Sequence, residues 1–284
     1  MWCPYTNKEL EADELNPEHI VPLSLGGCDE FVISVCKDAN SRLGTTVDGV
    51  LTNDPLMMFN RRAFDARGHS GTPPKVFSKH ATIDGRPAQI ALGGTEPPTV
   101  WDAKLRRQLT EAEIADRPMS LTWIVKRFSR LRFVAKVALS GGYFALGDFF
   151  RSKVAHEHAR KFMWADNEHD FSCISPADSV CVDDPFEASD ESELRGVFKH
   201  ACKAYEGSLV FIVPTEDSVI FAVGLLGAYI GGISLPADTT HFPESTDFDL
   251  GHCIRLGNRT STRLSFRQHM TELLETMGEK PNEG

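Results

Sequence analysis

PEHIVPLSLGG, Pro17 to Gly27, sets an acid directly beside a histidine, follows them with a short apolar step, and ends on a proline and a glycine pair. In an extended strand, successive side chains point to opposite faces, so Glu18 and His19 can serve two different purposes from one short segment. Pro22 and Gly26-Gly27 then stop the strand and turn the chain. Downstream lies VCKDANSRLG, in which Asn40 follows Cys36 by four residues inside a helix expected near Val35 to Leu43.

The chain has 284 residues, enough for one large domain or two smaller ones. Its formal net charge of -10 argues against a general nucleic-acid coat. The charge is segregated, however. Arg61, Arg62, Arg67, Lys75 and Lys79 face a single acid, Asp65, between Arg61 and His80. Lys126, Arg127, Arg130, Arg132 and Lys136 form a second run with no acid, whereas Asp166 to Glu193 holds ten acids and no Lys or Arg. Either these runs are solvated faces, or they make a local basic surface on an acidic protein.

The seven cysteines are odd in number and scattered, and the chain starts MWCPYTNKEL without an apolar leader, which together predict free thiols in a cytoplasmic setting. Ser218 to Ala237 carries no charge over roughly the length of a membrane helix. Its four glycines and β-branched residues predict two buried strands joined by a turn, so no membrane association is expected. Asp84-Gly85, between KHATI and RPAQIAL, predicts a hairpin. From Thr110 the pattern is helical, with Glu113 completing a capping box and Gly141-Gly142 expected to break a long helix or pack it tightly. His156 and His158, at i and i+2, predict a solvated helix face and not a metal site.

The order Cys3, Glu18-His19, Gly26-Gly27, Cys36, Asn40 resembles the HNH endonucleases of the ββα-metal class, over residues 1 to about 72 and most closely over Glu18 to Gly44. The implied fold class is α+β: a small N-terminal ββα-metal module over residues 1–72, then a larger α+β domain of unnamed role over residues 73–284. The resemblance implies hydrolysis of DNA phosphodiester bonds with a 3′-hydroxyl and a 5′-phosphate at the cut, RNA remaining an alternative substrate. It implies His19 as general base and Glu18 and Asn40 as ligands of Mg²⁺ or Mn²⁺. Hard oxygen donors suit such ions, and a near-neutral imidazole suits proton abstraction from water. Each of the two CxxC halves found in many relatives keeps only its first cysteine, Cys3 and Cys36, with Thr6 and Ala39 in the other places, so no structural zinc is expected. The middle asparagine of the motif has no match; Asp29, Glu30 or Phe31 occupies that region. Arg42, Arg61, Arg62 and Arg67 are candidate phosphate contacts.

Two expectations concern the rest of the chain. The metal, the base and the leaving-group stabiliser are accounted for within residues 18 to 40, leaving residues 73–284 to position nucleic acid or sense a partner. The Lys126–Lys136 run is expected to extend a positive track that begins at Arg61 and Arg62. The alternative function is a nucleic-acid-binding or sensory protein on an HNH fold that no longer cuts. Oligomeric state is open.

Overall fold

The computed structural model describes residues 1–68, 71–72, 75–93, 98–167, 181–187, 193–242 and 245–276. The N-terminal part opens with two short paired strands, β1 (Trp2–Cys3) and β2 (Lys8–Glu9). β3 (Leu15–His19) then pairs antiparallel with β4 (Val32–Cys36), Glu18 opposite Ile33 and His19 opposite Val32. α1 (Lys37–Leu43) starts at the next residue, so the expected helix begins two residues late, Val35 and Cys36 being strand. A π-helical turn (Gly44–Asp48), α2 (Gly49–Thr52) and α3 (Pro55–Ala63) continue it. Asp54 caps α3, its carboxylate accepting from the backbone N–H of Leu56 and Met57.

A five-stranded antiparallel sheet follows, built from β5 (Lys75–Ile83), β6 (Arg86–Gly93), β7 (Thr99–Asp102), β8 (Arg107–Gln108) and β9 (Met119–Leu121) in the order β8-β7-β6-β5-β9. The predicted hairpin is present: Asp84 and Gly85 both have positive φ and join β5 to β6, as a tight two-residue turn requires. Thr110 and Glu113 form the expected capping box at α4 (Glu111–Ile114).

α5 (Arg127–Leu146) is the axis of the molecule. Every residue from Arg130 to Gly142 is buried, the pattern of a helix enclosed on all sides. Gly141-Gly142 does not break it: a Cβ on Gly142 would lie 2.4 Å from the Phe150 ring, so glycine there lets α6 (Asp148–Lys153) close on α5. After α7 (Glu157–Trp164), β10 (Cys181–Asp183) and α8 (Glu193–Ala204) come β11 (Ser208–Pro214), β12 (Ser218–Leu225), β13 (Ala228–Pro236), β14 (His252–Gly257) and β15 (Thr260–Ser265), and α9 (Phe266–Thr276) ends the described chain. These strands form a six-stranded antiparallel sheet in the order β10-β13-β12-β11-β14-β15. The apolar run from Ser218 to Ala237 is the predicted strand pair, turning at Leu226-Gly227, both with positive φ. Among the described residues, no helix is long and apolar enough to cross a membrane.

Strand alternation divides the core. Val210 and Ile212 join a large cluster that also holds Tyr5, Ile20, Phe31 and Leu43 from the N-terminal part and Phe133, Val134 and Val137 from α5. Leu209 and Phe211 point to the other face and pack with Phe198 of α8 and Phe266 and Leu273 of α9. One continuous core thus joins the first sixty residues to the last hundred and fifty, while the five-stranded sheet keeps a small core of its own.

The Lys126–Lys136 run is not a positive track. Arg130 is 3% exposed and its guanidinium donates to both Asp54 oxygens, at 2.6 and 3.4 Å. Arg132 is buried and donates to the Met163 carbonyl, and Lys136 is wholly buried. Arg127 pairs with Asp184 of the acidic run, much of which lies outside the described residues. A bare charge count cannot separate a solvated run from one whose partners lie across a core. His156 likewise leaves the expected solvated face: it is buried, its Nε2 against the Arg151 carbonyl and its Nδ1 against Arg160.

Breaking a buried ion pair by removing one partner costs about 3–5 kcal/mol, because the remaining charge is left uncompensated. Arg130→Ala should therefore lower the unfolding free energy in urea by about 3 kcal/mol; a loss below about 1 kcal/mol would place this pair in solvent. A second expectation concerns acid. Burial, reinforced by the Arg263 guanidinium, lowers the His252 pKa to about 3, and burial with Arg255 lowers that of His269 to about 4. Arg263 Nε and Arg255 Nε donate to the Nδ1 atoms of these rings, which holds both neutral. An unfolded chain takes these protons near pH 6.5, so stability present above that pH is lost as pH falls toward 4, by about 1.4 kcal/mol per pH unit for each ring. Urea midpoints measured from pH 7 to 5 should fall, and fall less steeply in His252→Gln; an identical slope in that variant would mean that the ring titrates normally.

Candidate active site

The end of β3 and the helical run after β4 form two walls of a cavity of about 300 Å³. Glu18 and His19 come from β3, Ser24 from the turn that follows, and Gly44 and Asp48 from the π-helical turn. The turn depends on its glycines. Gly26 has φ +84°, and a Cβ on Gly27 would stand 1.7 Å from the Val21 carbonyl oxygen. Pro22 O accepts from the N–H of both Leu25 and Gly27, and Ser208 Oγ donates to Leu25 O, which ties the loop to β11.

Both Glu18 and His19 line this cavity, Glu18 buried and His19 part-exposed. His19 sits at the rim with its side chain 29% exposed, and its Nε2 lies 2.9 Å from Asp29 Oδ1. A carboxylate accepts only, so Nε2 carries the proton in the neutral ring and Nδ1 is the acceptor nitrogen. Asp29, one of the three residues in the region of the missing middle asparagine, fixes the orientation of the ring. Next to it, Glu30 accepts from the Ser261 N–H at 2.7 Å and anchors the same loop to β15.

Glu18 points inward. Its carboxylate pairs with the Lys136 ammonium, which also lies 2.7 Å from Asp48 Oδ2. Lys136 is fully enclosed. Burial works against its charge, yet Asp48, Tyr5 and Glu18 together hold the ammonium above its ordinary range. Burial raises the Asp48 carboxyl to about 6 against the opposing pull of Lys136. Burial also drives the Tyr5 hydroxyl up. α5 thus sets an ammonium behind Glu18 and Asp48, the two carboxylates that line the cavity. The sequence hint was a lone lysine inside the apolar stretch FVAKVALSGG.

Asn40 does not line the cavity. Its Nδ2 donates to Asn16 Oδ1 at 3.1 Å and Pro17 O at 3.4 Å, pinning α1 to β3 and leaving the amide oxygen as the part able to ligate. Of the arginines, Arg61 is buried and donates to the Thr52 carbonyl, a fold contact with no face for a phosphate. Arg62 is exposed. Arg42 stacks over Trp164 and pairs with Asp166, and Arg67 pairs with Asp65. Cys3 Sγ accepts from the Cys36 N–H at 3.3 Å, so the two remaining cysteines of the degraded CxxC halves do come together.

Among the described residues, no three His, Cys, Asp or Glu side chains converge as a ready-made metal cage. The donor chemistry nevertheless suits a hard divalent cation. Two carboxylates share one ammonium, which leaves a net negative charge, and Asp48 Oδ1 is buried without a hydrogen-bond partner. Such an oxygen is costly unless a cation or donor reaches it.

Residues 3–56 match the HNH endonuclease family model. The matched stretch contains Glu18, His19, Asn40 and Asp48 and points to nuclease chemistry, hydrolysis of the phosphodiester bonds of a nucleic acid. Neither a curated protein nor a solved structure matches the chain.

Asp29 is exposed and bonds the imidazole without supporting the core, so Asp29→Ala should leave the melting temperature unchanged. It should lower nuclease turnover about tenfold, a part of the roughly 10²–10⁴ that a well-placed general base contributes. Unchanged turnover would remove Asp29 from the site.

Proposed function

We propose that the protein is a metal-dependent endonuclease that hydrolyses DNA, with His19 as general base. The observation that carries this reading is the His19 ring, held through Nε2 by Asp29 beside Glu18 on one cavity wall, within the stretch that matches the HNH endonucleases. His19 accepts the proton of the attacking water, and the imidazolium that forms is stabilised by the Asp29 carboxylate. Glu18 and Asn40 are the family-implied holders of Mg²⁺ or Mn²⁺. Such a cation, when bound, neutralises the phosphate and the charge on the leaving oxygen. Arg42, Arg62 and Arg67 are exposed arginines that follow the site in sequence and are assigned to phosphate contacts, which position the backbone without reading bases. The six described cysteines are all free, in keeping with a cytoplasmic setting.

The second reading, a binding protein that no longer cuts, draws on the pairing of Glu18 with Lys136 in place of solvent. Incubation of supercoiled plasmid with Mg²⁺ or Mn²⁺ separates the two. The wild type should nick or linearise the plasmid and EDTA should stop it, with a structured RNA run in parallel to test substrate class. His19→Ala should cut at least about a hundredfold more slowly, since general-base help is worth roughly 10²–10⁴. A plasmid left intact under all these conditions would leave the binding reading standing.

A further inference from the structure

Asp48 lies eight residues after Asn40 and four after Gly44, so these three fall close together along one side of the helical run that faces β3. Gly44 leaves that wall open, since a Cβ there would meet nothing within 4 Å. Asp48 lines the same cavity as Glu18 and His19 and is 9% exposed. Its two oxygens differ. Oδ2 is held by the Lys136 ammonium at 2.7 Å, whereas Oδ1 is buried and unpartnered.

We propose that Asp48 is a ligand of the divalent cation in this site, and that Lys136 of α5 is the positioning residue that holds Asp48 and Glu18 in place for it. This inference rests on the nuclease reading of the cavity. A lysine that merely neutralised two acids could have been met by both oxygens of either one. Here it takes one oxygen from each carboxylate and leaves Asp48 Oδ1 without a donor. The C-terminal body is then part of the site, because the residue that aims its ligands is on α5. Divalent cations of this kind accept carboxylate oxygens readily, and an aspartate adds charge that the neutral Asn40 amide lacks.

The test is Mn²⁺ binding to the full-length protein, without nucleic acid, by titration calorimetry and by the thermal shift Mn²⁺ produces. Asp48→Asn keeps the shape of the side chain and leaves Lys136 paired with Glu18, and it should weaken Mn²⁺ at least about tenfold. Asp48→Glu, which keeps the charge but displaces the oxygens, should weaken it as well, and it serves if the asparagine variant does not fold. Lys136→Met should also weaken Mn²⁺, although it removes a competing positive charge. Tighter Mn²⁺ in that variant would overturn the positioning role, since the ammonium would then be a competitor. Wild-type affinity in a folded Asp48 variant, or no Mn²⁺ binding by the wild type, would overturn the proposal. Plasmid cleavage is scored separately. A wild type that binds Mn²⁺ through Asp48 but leaves plasmid intact sinks the endonuclease reading alone. A wild type that cuts while Asp48→Asn binds and cuts equally well sinks this inference alone.

Discussion

A lysine ammonium with no access to solvent, set between Glu18 of β3 and Asp48 of the π-helical turn, is the constraint on which the rest of this structure depends. An isolated ammonium in an apolar interior would lose its proton or unfold its surroundings. Two carboxylates reverse that preference, but they must reach Lys136 from the N-terminal part while α5 stays inside the core of the C-terminal sheet. The nuclease-like hairpin is therefore bound to α5 by charge as well as by apolar packing. Arg130 and Asp54 repeat the arrangement along the same helix. Such pairs add little net stability compared with apolar packing, but they penalise any register of α5 that leaves one partner alone.

The apolar side of the same joint is the large cluster shared by Tyr5, Ile20, Phe31 and Leu43 with Phe133, Val134 and Val137. A ββα unit is too small to bury much of its own surface, and here the long helix covers it. The geometry at the rim follows from this. With the hairpin fixed from behind, the glycine turn can fold back tightly, Glu30 can anchor it to β15, and Asp29 can bring its carboxylate to His19. The outward-facing histidine is oriented by a partner at the surface, whereas the inward-facing glutamate is oriented from the core.

Much of this was legible locally. Adjacency of Glu18 and His19 dictates opposite faces in any strand, and glycines at Gly26 and Gly27 are required by a positive φ and by a contact with Val21 O that no Cβ could survive. Asp84-Gly85 and the turn at Leu226-Gly227 are set by the same backbone chemistry, and both hairpins are where those residues place them. These features depend on interactions within a few residues of the chain, which is why the chain order alone determined them.

What only the tertiary structure decided is where charge goes. Lys136 and Asp48 are 88 residues apart, and Arg130 and Asp54 are 76 apart. No local pattern distinguishes a base destined for water from one destined for an acid on another element. Arg130, Arg132 and Lys136 therefore read as surface and fold as core, and Arg61 reads as a phosphate contact and folds against a carbonyl. Electrostatic energy in a protein depends on the medium around each charge and on the distance to its partner, and both are properties of the assembled core and not of the sequence neighbourhood.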